Sequence, residues 1–261
     1  MVRVTVGSDP TGTAVEWSTR QIAFRVDPSG HGARIVGIRF ERYAPHHGNT
    51  LGTVRILAGG VQLTDVAVVQ SAATAIAASG ENGTLQRPLR RLTLRRVTAS
   101  DNGASGAAIG DAGREGAAPT VRNIVRILDS RFEGNNTEGF AVGSCGPSCV
   151  IAGLKVVRIS GLVVQRSSIV DNSGAGVWCD LYCDGVVVSD NQVMGNSMSG
   201  VYIEVSRRAD IRGNLIARNG RSVQAPADEV RVGGVKVTGS TRVLVRRNTL
   251  VDNRGAQLVV G

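Results

Sequence analysis

Two carboxylates, two ammonium groups and two large aromatic rings recur at matching places in four short segments. GLKVVR, GVWCDL, GVYIEV and GVKVTG begin at Gly153, Gly176, Gly200 and Gly234. In a strand, side chains alternate between faces, so inward Val177, Cys179 and Leu181 leave Trp178 and Asp180 pointing outward. The same phase turns out Lys155 and Val157, Tyr202 and Glu204, and Lys236 and Thr238. If the segments stack, one outward ladder reads Lys155, Trp178, Tyr202, Lys236, and its neighbour reads Val157, Asp180, Glu204, Thr238. Stacked strands lie about 4.8 Å apart, which sets Asp180 beside Glu204. Like charges that close need a proton, a cation or a metal between them.

Paired carboxyls of this kind suit glycoside hydrolysis, in which one protonates the leaving oxygen and the other activates water or attacks the sugar. In that reading Glu204 is the general acid and Asp180 the base or nucleophile. Lys155 and Lys236 hold acidic sugar groups, and Trp178 and Tyr202, with Thr238 beside them, receive a sugar ring. A polysaccharide lyase is the alternative: Lys236 or Lys155 abstracts a proton beside a uronate, and Asp180 with Glu204 holds a Ca²⁺. Hydrolysis is slightly favoured, because two carboxylates are few for a Ca²⁺ that takes six to eight oxygens. Apart from that Ca²⁺, no cofactor is expected. A glycan- or surface-binding module without chemistry would use the same aromatic ladder, and the plain alternative is a set of acid–lysine surface pairs across strands.

These residues need a scaffold that repeats. The four segments are separated by 23, 24 and 34 residues, the first two about the length of one three-strand coil, and the last lengthened by the insertion 220–233. Asn172, Asn196, Asn219 and Asn253 recur in one turn, and Asn191, Asn214 and Asn248 in another. Asn tolerates left-handed turns and its amides stack along a solenoid, so these columns are structural devices rather than ligands. Weaker copies run through 54–70, 92–110 and 123–136. The pattern predicts an all-β, right-handed parallel β-helix of roughly eight to ten coils, one domain over 1–261. The loops 137–152 and 220–233 precede Lys155 and Lys236 and should rise at the two ends of the platform as walls of a groove.

Composition agrees. The chain has 261 residues with 34 Gly and 3% aromatic residues, which suits short strands and tight turns. Trp178 and Tyr202 are therefore two of only five Trp and Tyr residues. The formal charge of +9 favours an anionic partner, here a polysaccharide. The stretch 87–96 (RPLRRLTLRR) alternates like a half-buried strand and has no aromatic residue to stack a base, so nucleic acid is not expected. No run of about 20 apolar residues offers a membrane span. Strand-like sequence at both termini, without polar caps, suggests a piece of a longer, exported chain.

Cys145 with Cys149 and Cys179 with Cys183 form two C-x3-C pairs. Four thiolates could hold zinc, but a short disulfide suits the Gly-Pro loop around Cys145 and Cys149, and Cys179 can serve as a core residue. Disulfides would place the protein in an oxidising location, secreted or at the cell surface. His31, His46 and His47 lie away from the ladder and read as surface residues. No Ser-His-acid arrangement, phosphate-binding glycine loop or heptad pattern is present. Oligomeric state leaves no mark.

The segments NNTEGF, AGLKVVRISGLVV, SGAGVWCDLYCDGVVVSDN, SGVYIEVSRRADIRGN and GGVKVTGSTRVLVRRNTLVDN resemble exported bacterial right-handed parallel β-helix repeat proteins of the pectate-lyase-like superfamily. The resemblance covers about 90–261 well and the first part loosely. It implies the fold, with polysaccharide cleavage or modification as the usual activity. Lys155, Trp178, Asp180, Glu204 and Lys236 resemble that group's Lys, Trp, Asp, Glu and Lys in position. The layout is also similar to polygalacturonase-like hydrolases, but their paired Asp and catalytic His are missing here.

Overall fold

In the computed structural model, residues 18–46, 51–79, 89–110, 123–140, 151–221 and 232–261 are described. They form three parallel sheets that run the length of a solenoid. The first holds nine strands, the second and third eight each, and every strand pairs with its counterpart one coil away. Eight complete coils, spanning 24–41, 52–69, 74–100, 107–133, 152–170, 175–194, 201–217 and 233–251, are followed by the strand Ala256–Val260. The first coil has no counterpart in the sequence reading, because its strands of three residues each are too short to show a period.

The inward residues of all three sheets merge into one core. In the first sheet Leu154 pairs with Val177, Val177 with Val201 and Val201 with Val235, all fully buried. In the basic stretch, Arg91–Arg95 is a strand that buries Leu92 and Leu94 and exposes Arg91 and Arg95. Alternation selects which face is dry, and the next coil covers it.

The asparagine columns act as polar ladders at the corners. Each Nδ2 of Asn102, Asn135, Asn172, Asn196 and Asn219 donates to the Oδ1 of the next member, ending at Asn253, over 2.8–2.9 Å. Each also donates to a backbone carbonyl, so a buried amide is satisfied at both hydrogens. Asn102 and Asn135 extend the ladder two coils beyond the four members evident from the repeat. Asn191, Asn214 and Asn248 form the second ladder in the same way.

The repeated glycine that opens each strand belongs to the same device. A Cβ on Gly200 would lie 2.7 Å from Asn219 Nδ2, and one on Gly234 2.6 Å from Asn253 Nδ2. The glycine makes the space that the ladder fills.

Charges are ordered along another corner. Asp65, Arg96, Asp129, Arg166 and Asp190 all have positive φ and follow one another coil by coil. Arg96 and Arg166 each make two bonds, to Asp65 and Asp129, and the hydrogen bonds from these guanidiniums hold both carboxyls below the usual carboxylate range. Part of the arginine excess is thus spent on the scaffold.

Candidate functional site

Four neighbouring strands of the first sheet, Ala152–Val157, Ala175–Asp180, Val201–Glu204 and Gly233–Thr238, carry the chemistry-bearing residues. Their register pairs Lys155 with Trp178, Trp178 with Tyr202, and Tyr202 with Lys236. The neighbouring column pairs Val157 with Asp180 and Glu204 with Thr238; the ladder between the Asp180 and Glu204 strands ends at Cys179–Ile203, and both acids attract the Lys155 ammonium.

The column is a tight stack. Lys155 Nζ lies 3.6 Å from the centroid of the Trp178 ring, the Trp178 and Tyr202 rings are 4.8 Å apart, and Lys236 Nζ is 4.4 Å from the Tyr202 ring. The acids join from the side. Lys155 Nζ donates to Asp180 Oδ2 at 2.8 Å, the backbone N–H of Leu181 donates to Asp180 Oδ1 at 2.7 Å, and Trp178 Nε1 donates to Glu204 Oε2 at 3.0 Å.

The outward ladder is not an open platform. Lys155, Trp178, Asp180, Tyr202 and Val157 are all at most 9% exposed, whereas Glu204, Lys236 and Thr238 are half-buried. Trp178 and Tyr202 pack with Ala152, Ala175 and Met198 in a small cluster apart from the main core. Alternation gave the direction of these side chains, but it could not show that they would cover one another.

Burial has an electrostatic consequence. It lowers the Lys155 ammonium to about 8, against the attraction of Asp180 and Glu204. Burial also raises the Tyr202 phenol above its ordinary value, and its hydrogen bond to Glu204 adds to the rise.

Cys179 and Cys183 are fully buried and joined in a disulfide that spans Asp180, Leu181 and Tyr182. Their sulfurs are therefore not thiolates free to bind zinc. Cys145, Cys149 and His47 lie outside the described residues, as do most of the two loops expected to wall the groove. His31 and His46 are exposed, far along the chain from the site. No group of three or more His, Cys, Asp or Glu residues among the described ones could hold a metal, and no described helix is long and apolar enough to cross a membrane.

Two features escaped the sequence reading. Arg158, just past the site's first strand, is 4% exposed, and its Nε and Nη2 are buried without a protein acceptor. A cavity of about 510 Å³ at an earlier corner is lined by Arg42, Tyr43, Gln70, Asp101, Thr137 and Glu138, among others. A single buried arginine in an arginine-rich chain, or polar corner residues from several coils, carries no pattern that spacing could reveal.

Comparison with known proteins adds the following. The profile of the family described as "Right handed beta helix region" matches residues 59–261. Among solved structures, the chain is similar to the A-modules of two Azotobacter vinelandii mannuronan C-5 epimerases. One is AlgE4, at 12% identity and a TM-score of 0.45 over 89% of this chain and 73% of that one. The other is AlgE6, at 15% identity and a TM-score of 0.46 over 88% and 71%. No curated protein matches the sequence.

Proposed function

The chain belongs to the right-handed β-helix family, and we propose that it is a glycoside hydrolase of an acidic polysaccharide, with Asp180 and Glu204 as its paired carboxyls. The observation that carries this reading is that the two acids lie on adjacent strands of one sheet, both attract the Lys155 ammonium, and each has a different donor.

Asp180 is the nucleophile. Lys155 and the Leu181 N–H fix its orientation. It attacks the anomeric carbon while half-buried Glu204 gives a proton to the leaving glycosidic oxygen. Water, deprotonated by Glu204, then releases the sugar from Asp180. Trp178 orients Glu204 through its indole N–H, and Lys236 with Thr238 meets the substrate at the more open end. The charge of +9 draws an anionic glycan. The Cys179–Cys183 disulfide favours a secreted or cell-surface setting.

One observation favours the lyase. An ammonium lowered to about 8 is a usable base near neutral pH, so Lys155 could take the proton beside a uronate carboxylate. A Ca²⁺ on Asp180 would then have to compete with the Lys155 ammonium that already occupies Oδ2. The test is a panel of acidic and neutral polysaccharides, with Ca²⁺ and with chelator, followed by new reducing ends and by the ultraviolet absorbance of unsaturated uronate. Reducing ends without absorbance support the hydrolase. Absorbance selects the lyase, and glycan binding without either product leaves only a binding module.

A further inference from the structure

We propose that Arg158 is an anion subsite of this site, the residue that takes the carboxylate of an acidic sugar unit; the inference rests on the reading of the site as a polysaccharide site. Arg158 follows Lys155 by three residues, and its backbone N–H donates to the Asp180 carbonyl at 3.2 Å, which sets its main chain against the end of the Asp180 strand. A guanidinium stays charged at any working pH, so it cannot escape burial by losing its proton. Yet Nε and Nη2, the edge that accepts a carboxylate side-on, donate to no protein group.

The acids of the site do not serve it. Both oxygens of Asp180 are engaged by Lys155 and Leu181, and Glu204 Oε2 by Trp178. Arginines two coils on show the contrast: Arg207 and Arg208 both bond buried Asp184. Among the described residues, the Arg158 guanidinium has for a neighbour the Tyr182 ring, whose centroid lies 5.7 Å from Cζ. Tyr182 is half-buried. A charge buried without a counter-ion costs stability, and a carboxylate brought by the substrate removes that cost on binding.

The experiment titrates galacturonate, glucuronate, galactose, glucose and acetate into the full chain carrying Glu204→Gln, so that binding is read without turnover. Arg158→Met on that background is expected to weaken uronate binding about tenfold or more, leave the neutral sugars unchanged, and melt no lower than its parent. Melting several degrees lower with uronate affinity intact makes Arg158 a structural residue and overturns the proposal. Acetate binding as tightly as the uronates, or no uronate binding at all, overturns it too. Should Arg158→Met fail to fold, the Arg158 Nε–H resonance of the parent decides: a shift on adding uronate supports the subsite, and no shift overturns it. Uronate bound through Arg158 with no glycan cleavage by the unsubstituted protein would sink the hydrolase reading alone.

Discussion

Lys155 and Asp180 are bonded at 2.8 Å between adjacent coils, with side chains only 7% and 13% exposed. The pair is joined to the aromatic stack, since Lys155 also lies over the Trp178 ring. Its loss on one side leaves an uncompensated charge on the other.

The pair gives a pH dependence with a definite sign. Below about pH 8 Lys155 is charged and holds Asp180; above it the ammonium is lost. Hydrolysis is therefore expected to fall as pH rises through about 8, whereas a Lys155-base lyase would rise through the same point. Initial rates from pH 6 to 10 distinguish them.

Stability moves the other way. The folded ammonium titrates near 8 and the unfolded one near about 10.4, so between these values the unfolded chain binds more protons. The penalty for burying the charge is fully present below about pH 8 and is relieved above it. From this group alone stability should rise with pH across that window, by at most roughly 1.4 kcal/mol per unit. Denaturant unfolding at pH 7.5 and 10 should show the gain in the parent and not in Lys155→Met.

Trp178→Phe keeps a ring beneath Lys155 and removes the indole donor to Glu204. Turnover is expected to fall by about ten- to a hundredfold, the kinetic equivalent of one hydrogen bond to a charged group, with little change in melting temperature. Steady-state kinetics with a melting curve checks both halves.

Gly200→Ala drives a Cβ to 2.7 Å from Asn219 Nδ2 and 2.8 Å from the Gly234 carbonyl. We expect about 1–3 kcal/mol of destabilisation by overpacking. Asn219→Ala strands the Asn196 Nδ2 and backbone N–H donors, and should cost a similar ~1–3 kcal/mol. Their double mutant should cost less than the sum, since one relieves the clash the other makes. Chemical denaturation of the three variants measures this coupling.

The residues themselves show why the solenoid could be read and the state of the site could not. Inward Val177, Val201 and Val235 recur with the Asn ladder, and a period repeated coil after coil identifies the fold even where single strands are short. The same alternation pointed Trp178 and Asp180 away from the core. Exposure is another matter: Ala152, Ala175 and Met198, which cover Trp178 and Tyr202, are small or unremarkable residues outside the quoted phase. Arg158 was illegible because its distinction is a missing partner, which only packing reveals.

The most direct measurement is the rate of Glu204→Gln against the unsubstituted protein, on whichever acidic polysaccharide releases new reducing ends, with the melting temperature followed in parallel. A loss of about a thousandfold or more at unchanged melting temperature is the result expected of a group that donates the proton in the reaction. A variant as fast as its parent would contradict the assignment of the paired carboxyls.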